Sequence, residues 1–176
     1  MSAQPIPADP LRPEPRPARL AGDTFRHVFR RHAAGVAVIT VGGAAPVGFT
    51  ATSLSSLSSE PPLLSFNINR GSSSWPALSS ASLVAVHLLA HHQHDLATTF
   101  ATSGIDRFAR VAGWRRHRTG LPMLPDVLAW MAVELRQSVD AGDHSLVIGE
   151  IVEAEFTEGR PLLYHDGRFA RIADDA

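Results

Sequence analysis

From residue 23 onward, short apolar runs alternate with clusters of glycine, proline and hydroxyl-bearing residues. Most of the runs are too short for helices and rich in β-branched side chains, the signature of strands. Asp23 can cap a helix reaching roughly His32, with Phe25, Val28 and Phe29 on one face, and Gly35 ends it. Val36 to Val41 reads as a strand, Gly42 to Pro46 as a turn, and Val47 to Thr52 as the return strand of a hairpin. The serine-rich run from Ser53 to Ser59 has too little bulk to pack a core, and Pro61-Pro62 forces a turn. Leu63 to Asn69 is the next strand. Arg70 to Leu78 reads as a turn opening a short helix, with Pro76 in its first turn. Leu83 to Leu89 is strand-like, and Gln93 to Thr102 fits a helix with Leu96 and Phe100 inward. Residues 104–125 look irregular. Two long strands follow, Val127 to Val139 and His144 to Phe156, around a turn at Asp140 to Asp143, and Arg168 to Ile172 closes the chain.

Hairpins therefore dominate, with two short helical crossings and no βαβ alternation. The pattern argues against a doubly wound sheet, and a mainly β, closed antiparallel barrel with helices at its ends is expected. Residues 1–20 hold six prolines, from Pro5 to Pro17, and read as an extended or disordered arm, leaving residues 21–176 as one domain.

Composition narrows the chemistry. The 176 residues include no cysteine, which excludes disulfides, thiolate-bound zinc, iron–sulfur clusters and a thiol nucleophile. A net charge of -1 offers no basic excess for nucleic acid or an anionic membrane. No apolar run reaches the length of a membrane helix, and the N-terminus carries no signal-like apolar core, so a soluble, cytoplasmic protein is expected.

The stretch from Gly48 to Pro62 draws attention because small side chains let a ligand reach main-chain N–H and C=O groups. That suits a flat, polar-edged cofactor; the plain alternative is a serine-rich surface loop. Ser72 and Ser74 at a helix start, with an arginine nearby, can hold a phosphate, or can be an ordinary N-cap. The basic group around Trp114, from Arg115 to Arg118, reads as a solvated face or as a contact to a cofactor phosphate. Asp143-His144-Ser145 has the residue types of a hydrolase triad, but strand alternation turns His144 away from both neighbours, and no Gly-x-Ser-x-Gly elbow occurs. His91, His92 and His94 have only Asp95 as a carboxylate companion, and no metal site is expected. Gly43 and Gly48 imitate a dinucleotide fingerprint, yet Ala45 stands at the third glycine position and Pro46 argues against a helix there.

Several of these pieces, in order, resemble the flavin reductase-like family. They are Gly35 to Thr40, Gly48 to Ser53 with the run to Ser58 and Pro61-Pro62-Leu63, and Ser72 and Ser74 before Leu78. Leu96-Ala97 with Phe100-Ala101, Arg107-Phe108, Gly120 to Leu124, Gly142-Asp143-His144 with Gly149-Glu150-Ile151, and Pro161 to Tyr164 with Phe169 continue the match over roughly residues 23–172. Leu135 stands where the family pattern often has cysteine.

The resemblance implies a six-stranded antiparallel Greek-key split barrel with short flanking helices, acting as a homodimer. It implies an NAD(P)H:flavin oxidoreductase that uses FMN or FAD and supplies reduced flavin to a partner monooxygenase. Thr50, Ala51, Thr52 and Ser53 would line the isoalloxazine edge, and Ser72, Ser74 and Arg107 would hold the phosphate. Ser58, Asn69 and Phe108 complete the implied cofactor-binding set, with His144 as the catalytic residue beside flavin and nicotinamide. A non-catalytic flavin- or haem-binding barrel, a flavoenzyme of the pyridoxamine-phosphate oxidase type and a plain interaction module stay open. So does the choice between NADH and NADPH.

Overall fold

The computed structural model describes residues 20–173. Of the proline-rich arm expected over residues 1–20, only Leu20 falls inside that range. In chain order the elements are α1 (Gly22–Phe29), β1 (Ala34–Gly35), β2 (Ala37–Val41), β3 (Val47–Ala51), β4 (Ser55–Ser59), β5 (Pro62–Asn69), α2 (Trp75–Ser79) and β6 (Leu83–Leu88). Then come α3 (His94–Ala101), a 3-10 turn (Phe108–Arg110), β7 (Arg115–Arg116), β8 (Pro122–Met123), β9 (Ala129–Ala141), β10 (His144–Phe156), β11 (Leu163–His165) and β12 (Arg168–Ala170).

The central sheet has seven strands in the order β3-β2-β6-β9-β10-β5-β4, every neighbouring pair antiparallel. Six of them are the strands expected from the sequence. The seventh is the serine-rich run, expected to be a bend and found as edge strand β4. Backbone pairing needs no side-chain bulk, so Ser55–Ser59 adds to β5 although only Ser58 is even half-buried. Pro62 opens β5 immediately after the turn, a first-strand position where its missing N–H costs no interior ladder bond.

β2 explains how the sheet is buried. Ala37, Ile39 and Val41 face the barrel core with Phe49, Phe66, Val84 and Val133. Val38 and the preceding Val36 face a second cluster with Phe100, Phe108, Leu124 and Leu162 under α3. A strand covered on both faces must be apolar without interruption, as residues 36–39 are. The same cover needs close approach at β3. A Cβ on Gly48 would lie 2.7 Å from the Phe100 ring and 3.0 Å from the Ile39 carbonyl oxygen.

Two local expectations are corrected. Asp23 does not cap α1: the helix begins at Gly22, the cap position falls on Ala21 without a side-chain bond, and the Asp23 carboxylate pairs with Arg26 instead. Inside the first turn it still faces the positive end of the helix dipole. Residues 104–125 are not wholly irregular, since the 3-10 turn and the small β7–β8 ladder order them.

The sheet curls without closing. β3 pairs only with β2 and β4 only with β5, so no ladder joins the two edges among the described residues. A side chain bridges the gap instead: Ser53 Oγ accepts the Asn67 N–H at 2.9 Å. The split beside this bridge positions the site.

Candidate active site

At the split, a cavity of about 410 Å³ opens between β3, the end of β5, the C-terminus of α3 and the start of β10. β3 contributes Phe49, Thr50 and Ala51, followed by Thr52 and Ser53. As an edge strand, β3 has every second N–H and C=O free of the ladder. β5 contributes Asn67 and Asn69, which alternate with core residues Phe66 and Ile68 and so share the outer face. Ser72, Arg107 and His144 complete the rim with Phe100, Ala101 and Ser103.

Eight residues singled out from the sequence therefore meet in one place: Thr50, Ala51, Thr52, Ser53, Asn69, Ser72, Arg107 and His144. The other three lie elsewhere. Ser58 is on β4, its Oγ accepting the Glu60 N–H at 3.2 Å. Ser74 is fully buried beneath the rim, donating to the Gly48 carbonyl at 3.2 Å. Phe108 packs edge-on against Phe100 with ring centroids 5.3 Å apart. Asn67 and Ser103 were not foreseen. Asn67 was legible in the alternation Asn67-Ile68-Asn69, whereas Ser103 reaches the cavity only because α3 ends there.

Most of the short hydroxyls are already engaged. Thr50 donates to the Ala97 carbonyl at 2.6 Å, tying α3 to β3. Asn69 Oδ1 accepts from Gly71 N–H at 2.7 Å, and Ser72 Oγ accepts from Ser74 N–H at 3.2 Å. These bonds fix the rim and leave the main chain of β3, the exposed Thr52 hydroxyl and the Ser72 O–H donor among the open polar groups.

Arg107 follows α3 and is half-buried. Its Nη1 donates to the Gly48 carbonyl at 3.0 Å, and its Nε donates to the Thr102 carbonyl at 3.0 Å. Burial pushes its guanidinium down from the ordinary arginine value. Nη1 also reaches Ser74 Oγ at 3.4 Å; all three partners are neutral, and no carboxylate pairs with it among the described residues. A partly desolvated cation without a counter-ion favours an anionic ligand.

His144 opens β10 opposite Asn69 in the ladder. The expectation that it turns away from Asp143 is corrected: His144 Nδ1 lies 2.7 Å from Asp143 Oδ1. Asp143 is in the turn rather than the strand, so alternation does not govern its side chain. Ser145 does obey it, being fully buried on the other face with its Oγ donating to Asp140 Oδ1 at 3.3 Å. No triad forms. Hydrogen bonding to His144, and then the charges of His144 and Arg70, hold the Asp143 carboxyl below its usual range. Arg70 clamps this tip, pairing with Asp140 at 2.7 Å and donating to the Gly142 carbonyl.

His91 and His92 stack edge-on, with ring centroids 5.3 Å apart, and His94 contacts Asp95. No metal-ligating cluster gathers among the described residues.

Residues 29–173 match the family model described as flavin reductase like domain. An NADH:FMN oxidoreductase of Rhodococcus qingshengii is 45% identical over 172 residues, covering 94% of this chain and 89% of its own. The reductase component of a 4-nitrophenol 4-monooxygenase/4-nitrocatechol 2-monooxygenase of Rhodococcus opacus is 34% identical, covering 84% and 80%. Among solved structures, the NADH:FAD oxidoreductase SgcE6 of Streptomyces globisporus C-1027, in complex with NAD and FAD fragments, aligns with a TM-score of 0.83 at 31% identity. That alignment covers 90% of this chain and 99% of the other.

Proposed function

The chain belongs to the flavin reductase like family, and from that premise we propose that the cavity at the split is where it reduces FMN with NADH. The protein is an NAD(P)H-dependent flavin reductase. The narrower reading, FMN and NADH, follows the printed activity of the relative at 45% identity. The observation that carries the site assignment is the convergence of eight residues, distant in sequence, on one open cavity.

The residues present fit a flavin. The cavity volume is in the range of small-molecule sites. Its β3 wall is low in bulk and rich in unpaired main-chain groups, suited to the polar edge of a flat ring. Arg107 and Ser72 at one end suit a phosphate.

A flavin held there would supply the redox chemistry as hydride acceptor for a reduced nicotinamide. The chain's part is placement and field. Main-chain N–H groups from Ala51 to Ser53 would hold the ring edge and favour negative charge there, as oxyanion-hole donors do. His144, held by Asp143, orients the nicotinamide amide and thereby raises the fraction of productive encounters. Neutral, mostly main-chain contacts without a covalent link suit a flavin that is exchanged, as supply to a partner monooxygenase requires; a relative named as a monooxygenase reductase component supports that role. Homodimerisation is supported by the exposed apolar face of α1.

The test is steady-state NADH and NADPH oxidation with FMN, FAD and riboflavin. A higher kcat/KM for the NADH–FMN pair is expected, and equal or lower values overturn the narrower reading. Ser72→Ala should raise the dissociation constant of FMN at least about tenfold, roughly the loss of one hydrogen bond to a charged group, and leave riboflavin unaffected. An identical effect on both flavins removes the phosphate contact.

A further inference from the structure

A second cavity, of about 630 Å³, lies across Arg107 from the first. Arg107 lines both, and the two walls adjoin at Gly48–Phe49 and at Ser72–Ser73, one residue of each pair facing each cavity. Arg107 spends Nε and Nη1 on two carbonyls and the Ser74 hydroxyl, which leaves Nη2 without a partner among the described residues. The junction between the cavities thus carries a guanidinium with donor capacity to spare.

The far wall is an aromatic shelf. Trp114 packs edge-on against Phe108 with ring centroids 5.0 Å apart, and the Arg116 guanidinium lies 5.5 Å from the Trp114 centroid. Arg116 reaches only the Gly120 and Ala44 carbonyls, at 3.3 and 3.5 Å, and has no acidic partner among the described residues. Asp106 lines the same cavity, with one carboxylate oxygen accepting the Ala109 N–H at 3.0 Å and the other without a donor among the described residues.

A flat π and guanidinium surface stacks a base. A free carboxylate oxygen accepts from a ribose hydroxyl or an exocyclic amine. An unneutralised guanidinium between the two cavities suits a pyrophosphate. We propose that the second cavity binds the adenosine diphosphate half of a dinucleotide whose other half occupies the first. The proposal rests on the flavin-site reading above. Two dinucleotides of this reaction carry that half, a reduced nicotinamide dinucleotide and FAD.

Each has a mononucleotide counterpart that lacks the adenosine half, so the test reads ratios. Dissociation constants for FMN and FAD, from flavin fluorescence quenching, and KM for NADH and for reduced nicotinamide mononucleotide, with FMN as acceptor, are compared between wild type, Trp114→Ala and Arg116→Ala. Trp114 is half-buried against Phe108, so the exposed Arg116 carries the test if Trp114→Ala does not fold. Loss of one stacking surface should change one dinucleotide-to-mononucleotide ratio about tenfold against the dinucleotide. A change in the FAD/FMN ratio assigns the cavity to the flavin, and a change in the NADH/mononucleotide ratio assigns it to the nicotinamide cofactor. Unchanged ratios in both pairs overturn the proposal. Failure of the wild type to bind FMN would strike the flavin-site reading instead.

Discussion

His87 shows how much one residue can set. It is fully buried on β6, with Nδ1 3.1 Å from the Val38 carbonyl oxygen and Nε2 accepting the Leu124 N–H at 3.3 Å. This pairing requires a neutral ring that donates from Nδ1. Burial lowers its pKa from 6.5 to about 4. Between those values the unfolded chain binds a proton that the folded chain does not, so stability is full above pH 6.5 and falls as pH drops toward 4. The expected loss is about 2 kcal/mol at pH 5 and about 3 kcal/mol at pH 4. Chemical denaturation from pH 7.5 to 4.5 measures it, and His87→Gln should flatten the profile in that window. An unchanged slope in the variant would assign the loss to other groups. At the site, His144→Ala should lower kcat/KM for NADH about tenfold while changing the FMN dissociation constant less than twofold, the pattern of a group that positions nicotinamide. Equal loss in both removes that role.

Among the elements, β3 joins fold to site. Its Gly48 admits the Phe100 ring on one side, and its carbonyl accepts from both Ser74 and Arg107. Gly48→Ala forces the Phe100 ring and α3 outward. The expected cost is about 1–3 kcal/mol in unfolding free energy, as for other overpacked cores. FMN should also bind more weakly as Arg107 loses its anchor. A variant with wild-type stability would show that α3 yields without strain. The serine-rich β4 illustrates a different rule. Edge strands invite pairing with other chains, and this one is short, polar and bulged between Ser56 and Ser58, three features that discourage it.

At the scale of the molecule, the apolar face of α1 stands out. Phe25, Val28 and Phe29 are 51%, 59% and 57% exposed, and the two phenylalanine rings lie 4.5 Å apart. Such a cluster on an amphipathic helix marks an interaction surface. If a second copy covers it, as the proposed homodimer requires, Phe25→Asp with Phe29→Asp should weaken self-association at least about 100-fold, from lost burial of two aromatic side chains. Sedimentation velocity reads the outcome, and a double variant as dimeric as wild type excludes this face. The larger cavity beside the proposed flavin site belongs to the same scale, since a hairpin turn, the segment after α3 and the β7–β8 ladder all contribute to it.

The order of strands, both helices after β5 and the residues of the β3 wall were legible along the chain, because backbone propensity, side-chain period and turn residues are local properties. Val36 to Val41 announced a strand, but that residues 36–39 are covered on both faces became visible only in the fold. What touches what was decided only in three dimensions. Ser74 holds the Gly48 carbonyl, Asp143 swings to His144 from a turn that strand alternation does not control, and Arg107 is left between two cavities without a counter-ion. The split itself has no signature in the chain. It exists because β3 and β4, which run close together in sequence, end at opposite edges of a curled sheet whose backbone groups find no ladder between them.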